Sequence, residues 1–109
     1  MLYGKFIDET YPSTTKYVNG TYIFSEKVDR KVKITTVFLF MSNDGELSIH
    51  VNRKKVFPSH GHFTVVGAMF KIDLPEPIEL EANDTLSVFF KNNSGANNRV
   101  IVGLVGVYG

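Results

Sequence analysis

Val100-Ile101-Val102-Gly103-Leu104-Val105-Gly106-Val107-Tyr108 is a strand by composition, rich in β-branched residues with one aromatic, and interrupted only by Leu104 and two glycines. A sheet face open to water carries polar residues at every second position. Here both faces are apolar, which in a domain of 109 residues predicts cover from two sides. One side is the core of a packed sandwich, and the other is expected to be a neighbouring subunit.

The rest of the chain is made of the same material. Only three alanines occur, while Val, Ile, Thr, Phe and Tyr are abundant, a balance that favours pleated surfaces over helices. Asn19-Gly20 introduces a short strand, Thr21 to Ser25. Lys31 to Met41 alternates charged with aliphatic residues and then turns wholly apolar, so it runs from a solvated edge into covered territory. Asn43-Asp44-Gly45 reads as a hairpin turn into Glu46 to Val51, where Leu47, Ile49 and Val51 face inward. Asn52-Arg53-Lys54-Lys55 is the next turn, followed by Val56-Phe57, which Pro58 ends. Phe63 to Leu74 reads as one strand with Val66, Ala68, Phe70, Ile72 and Leu74 on a shared face. Pro75-Glu76-Pro77 predicts a crossover before Ile78-Glu79-Leu80. Ala82-Asn83-Asp84 turns the chain into Leu86 to Phe90, and Asn92 to Asn98 is an exposed loop. About eight strands separated by turn signals define an all-β fold, a two-sheet antiparallel β-sandwich of jelly-roll type. The sandwich is expected over residues 20–109, preceded by an N-terminal arm or edge segment over residues 1–19. Tyr3, Phe6 and Tyr11 in that segment, and Leu104 and Tyr108 in the closing strand, are the candidate contacts with a partner, because aromatic and aliphatic anchors bring large area at small entropic cost.

Charge and motif content exclude several functions. Twelve basic and eleven acidic residues are interspersed and leave a net charge of +1, with no basic face of the kind a phosphate backbone requires, so nucleic acid is not an expected partner. Cysteine is absent, which removes disulfides, thiolate nucleophiles and zinc–thiolate sites. The opening residues have neither a basic lead nor a long apolar run, and no signal peptide, transmembrane segment or membrane contact is expected. Asn-x-Ser/Thr triplets begin at Asn19, Asn83 and Asn92, but without a secretory signal they are not expected to carry glycans.

Candidate chemistry is sparse. His60-Gly61-His62 places two imidazoles on one side of an extended chain and His50 supplies a third, yet no Asp, Glu or His pattern designates the further ligand a metal site needs, and His50 lies on the outward face of its strand. The serines sit in turns or on alternating polar faces, with no nucleophile motif. Glu76, Glu79 and Glu81 beside a crossover read as a solvated face, and the glycines form no phosphate-binding fingerprint. The expectation is a protein that is not an enzyme, with no catalytic, cofactor-binding or metal-binding residues.

The order of pieces carries a resemblance: Lys31 to Phe38, then Leu47 to Val56, then Pro77-Ile78-Glu79-Leu80-Glu81-Ala82-Asn83-Asp84-Thr85-Leu86-Ser87-Val88, then the closing apolar strand. This resembles the small jelly-roll proteins of tailed-phage virions, the capsid decoration or cement proteins and related fibre and baseplate modules. The resemblance implies a virion structural protein that binds the major capsid protein as a homo-oligomer, by preference a trimer, and stabilises the capsid after assembly in the host cytoplasm. The alternative is a carbohydrate-binding or receptor-binding β-sandwich module, in which Tyr22, or the Asn92–Asn98 loop with Arg99, would meet a glycan.

Overall fold

The computed structural model describes all residues, Met1 to Gly109. Eight strands form the molecule: β1 (Leu2–Tyr11), β2 (Thr21–Lys27), β3 (Val32–Met41), β4 (Gly45–Val51), β5 (Lys54–Phe57), β6 (Phe70–Leu80), β7 (Thr85–Asn92) and β8 (Asn98–Tyr108). A single helical turn, α1 (Thr15–Val18), lies between the first two strands. Two antiparallel sheets result, one ordered β1-β8-β3-β6 (sheet A) and the other β2-β7-β4-β5 (sheet B). First pairs with last, second with seventh, third with sixth and fourth with fifth. One long antiparallel ribbon is thereby rolled over itself, which is the jelly roll.

Every connection except β4–β5 passes from one sheet to the other. That corrects the reading of Asn43-Asp44-Gly45 as a hairpin: β3 pairs β6 and β8, whereas β4 pairs β7 and β5. The one tight hairpin turns at Asn52 (φ 51°) and Arg53 (φ 67°), both left-handed, as a turn matched to strand twist requires. The crossover expected at Pro75-Glu76-Pro77 is also absent. β3 meets β6 at Thr36↔Asp73 and again at Ile34↔Ile78, so residues 74–77 bulge out of a single edge strand. Proline is tolerated at such a bulge because no ladder bond is asked of its nitrogen. Residues 63–69, read as strand, are irregular apart from a bridge at Phe63↔Leu47, and Gly67 turns there at φ 82°.

The core lies between the sheets and follows the alternation of the strands. Val32, Ile34, Val37, Leu39 and Met41 of β3 meet Leu47 and Ile49 of β4, Leu86, Val88 and Phe90 of β7, and Val100, Val102 and Leu104 of β8, all essentially inaccessible to water. The segment read as an arm or edge is the edge strand β1, paired with β8 from Leu2↔Val107 to Tyr11↔Asn98, and it belongs to the same sandwich. Its inward positions are Tyr3, Lys5, Ile7, Glu9 and Tyr11, and the two charged residues disguise the alternation. At this margin the Lys5 ammonium lies 3.0 Å from Glu26 Oε2, an ion pair that closes the gap between the sheets.

Candidate functional site

The outer faces of the two sheets differ in chemistry. On sheet A the outward residues fall in rows across the strands: Leu2, Val107, Lys33 and Glu79; Gly4, Val105, Thr36 and Asp73; Phe6, Gly103, Phe38 and Lys71; Asp8, Ile101 and Phe40. The β1, β8 and β3 columns are therefore mainly apolar. Leu2 and Phe6 are, after Met1, the most exposed large hydrophobic residues, at 78% and 64%. Phe6 and Phe38 meet over Gly103 with ring centroids 5.9 Å apart. Polar pairs frame this stripe: Arg99 grips Asp8 through Nε at 2.9 Å and Nη2 at 2.7 Å, Lys33 faces Glu79 at 3.7 Å, and Thr36 donates to Asp73 at 3.1 Å. The Arg99 fork holds the Asp8 carboxyl below the usual carboxylate range.

The closing strand is consequently covered on one side only. Val100, Val102 and Leu104 point into the core, but Ile101 and Val105 are half-buried and Val107 is exposed on the outer face. Of the five expected contact residues, only Phe6 stands free. Tyr3, Tyr11 and Leu104 are buried in the protomer's own core, because their positions in β1 and β8 face sheet B, and they offer a partner no surface. Tyr108 is half-buried, edge-on to Tyr3 and covered by the Arg30 guanidinium 4.1 Å from its ring centre. Burial, with Glu26 and Tyr108 nearby, pushes the Tyr3 hydroxyl up to about 12; burial, with Glu9 and Tyr17 nearby, does the same to Tyr11.

Sheet B carries a polar outer face. Ser25, Ser87, His50 and Lys55 form one row, and Tyr22, Phe89 and Ser48 the next. Ser48 Oγ lies 2.8 Å from His50 Nε2, and the Tyr22 hydroxyl lies 3.3 Å from His50 Nδ1. Sequence spacing alone leaves that chain invisible, although Ser48 and His50 are two apart on one strand and so share a face. Burial pushes the His50 imidazole below its ordinary pKa, against a backbone hydrogen bond at Arg53 and with the help of the nearby His62 and Lys55, so at neutral pH the uncharged ring dominates. Ser48 itself is buried at 2% exposure, and no carboxylate orients His50, so this pair lacks the access and the third member that acyl transfer demands.

His62 and His50 both flank the Phe89 ring, and His62 reaches Glu46 at 3.6 Å. No group of three or more metal-ligating side chains forms. Beside this cluster, at the β4–β5 hairpin, Tyr22, Ser25, Asn52, Arg53, Thr85 and Ser87 line a shallow depression of about 330 Å³. The Asn92–Asn98 loop, expected as an alternative glycan site, uses its polar groups internally: Asn92 and Asn98 are fully buried and bonded to Ser94, Ala96, Asn43 and Asp44, while Arg99 is held by Asp8.

Neither a protein-family model nor a curated protein matches this chain. No helix is long and apolar enough to cross a membrane.

Proposed function

We propose that the protein is a non-catalytic structural component that self-associates through the outer face of sheet A and serves a larger assembly as virion decoration proteins do, bound to the major capsid protein as a trimer. One observation carries the reading: the apolar stripe of Leu2, Phe6, Phe38, Phe40, Ile101, Val105 and Val107, unbroken along β8 and interrupted on the flanking strands only by Asp8, Lys33 and Thr36. Monomeric proteins rarely leave so continuous an apolar area facing water, and a polar rim around an apolar centre is the ordinary anatomy of a contact surface. The occupant favoured is a second copy of this chain, on grounds of size. The three strands that carry the stripe, ~4.8 Å apart and ~33 Å long, present roughly 480 Å², and with the polar frame on β6 the face reaches roughly 600 Å², near the ~800 Å² that each partner contributes to a standard interface.

Sedimentation and native mass spectrometry of the purified chain test the reading, with Val105→Asp as the perturbation. Val105 lies between Gly4 and Thr36 on the outer face, so the charge touches no core residue. The wild-type chain is expected to form a discrete oligomer, and the variant to be a folded monomer with an unchanged circular dichroism spectrum. A wild-type chain that stays monomeric at its highest soluble concentration, or a variant that assembles as before, overturns the reading.

A further inference from the structure

We infer that the depression on sheet B beside the β4–β5 hairpin is a binding site for a saccharide bearing a carboxylate. The site lies on the sheet opposite the proposed assembly face and does not depend on it. Arg53 is the first reason. It occupies the second central position of the hairpin turn, at φ 67°, where glycine is the unstrained choice and a long side chain is uncommon. Its guanidinium forms no ion pair, and the carbon at its centre stands 5.7 Å from the centre of the Tyr22 ring. A planar cation held at an aromatic ring with its donors unused is a fork for a carboxylate.

The turn that carries Arg53 is anchored. Asn52 accepts from the Thr85 backbone N–H at 2.9 Å and donates to Asp84 Oδ1 at 2.9 Å, while its own N–H bonds Thr85 O at 2.9 Å. Asp84, the acid of this network, also accepts from the Glu81 N–H at 2.8 Å through its other oxygen and forms no ion pair with Arg53.

The lining is the second reason. Ser87 is buried at the floor, sharing a hydrogen bond of 3.1 Å with Ser25, and Thr85 follows on the same face of β7. Tyr22 is the only aromatic among the six lining residues. Hydroxyl and amide walls with a single ring match a ligand rich in hydroxyls and poor in apolar surface, which an acidic sugar is and an apolar peptide side chain is not. A volume of about 330 Å³ is at the small end of ligand sites, which run to ~300–1,000 Å³, and suits one sugar unit.

Titration of the ¹⁵N-labelled 109-residue chain with glucuronate, followed by amide shifts, tests the assignment, with glucose and acetate as the paired controls. Saturable shifts confined to the neighbourhood of Tyr22, Ser25, Arg53, Thr85 and Ser87 are expected with glucuronate. Glucose should bind at least tenfold more weakly and acetate should not saturate. Arg53→Gln should lower glucuronate affinity at least tenfold while leaving the remainder of the spectrum in place. Equal responses to glucose and glucuronate would show that the charge is not read. Acetate binding as well as glucuronate would show an anion site without sugar recognition. Either result, or an Arg53→Gln variant that binds normally, overturns the assignment.

Discussion

Gly106→Ala tests the packing that brings the central strands of sheet A together. A β-carbon built at Gly106 would lie 1.7 Å from the Lys33 carbonyl oxygen and 2.9 Å from Ile34 Cα, and ordinary contact begins at 3.4 Å. The obstruction is backbone, so no side chain can rotate away. Gly106 opposes Ile34 while Val105 opposes Thr36, which leaves Thr35 as the extra residue of a bulge that presses β3 onto β8. Relief requires the two strands to part, with loss of about two ladder hydrogen bonds at ~1 kcal/mol each, in addition to the ~1–3 kcal/mol typical of overpacking. A loss of roughly 3–5 kcal/mol is expected, a large part of the ~5–15 kcal/mol that holds such a domain together. At ~4–8 °C per kcal/mol, the melting temperature should fall by more than about 10 °C. Gly4→Ala is the matched control on the neighbouring strand, where an added β-carbon meets nothing within 4 Å. It should leave the protein unchanged or gain ~0.5–1 kcal/mol from the lower entropy of the unfolded chain. Calorimetry and urea denaturation of both variants decide the matter. A Gly106→Ala protein that melts within a few degrees of wild type would refute the close approach of β3 and β8.

Two further outcomes follow from buried polar groups. His50 has a folded-state pKa below its ordinary 6.5, so the unfolded chain binds its proton more readily. The stabilisation is complete above about 6.5 and declines as pH falls through the lowered folded value; melting temperatures from about pH 7.5 to about 5 should drop, and His50→Gln should flatten that slope. Asn98 is fully buried, donates to the carbonyls of Asn43 and Asp44, and accepts from the Asn43 N–H. Asn98→Ala strands those groups and should reduce the free energy of unfolding by ~1–3 kcal/mol with the urea m-value unchanged.

The strands themselves were legible where inward residues are apolar and outward ones polar, as in Leu47, Ile49 and Val51 against Glu46, Ser48 and His50. Partnership was not. Alternation says which way a side chain points, but nothing in Asn43-Asp44-Gly45 distinguishes a return within one sheet from a step across to the other. β1 escaped recognition because Lys5 and Glu9 occupy inward positions at the margin of the sandwich, where a long side chain reaches a counter-charge or water and no core contact is required. Residues 65–69 misled in the opposite direction: Val65, Val66 and Met69 are 43%, 44% and 50% exposed, so their apolar character signals no inward face. The sheet B site was half legible. The outward positions of Ser48, His50, Ser87 and Phe89 can be read from parity alone, but only the pairing of β2 with β7 brings Tyr22 and Ser25 alongside them.

The different character of the two faces follows from the topology. Strands that pair first-with-last and third-with-sixth build sheet A, and those that pair second-with-seventh and fourth-with-fifth build sheet B, so the one tight hairpin falls necessarily on sheet B. The left-handed turn of that hairpin sets Arg53 at the margin of the sheet B face, beside Tyr22. On sheet A, which contains no hairpin, Gly103 lets Phe6 and Phe38 close over the backbone. With the sheets ~10 Å apart, burial of one face against a second copy, as proposed, would leave the other open to solvent, so the proposed self-association and ligand capture would not compete. An oligomer would then present several Arg53 sites together, and a weak single-site affinity for an acidic saccharide would be multiplied on any surface that displays the sugar repeatedly.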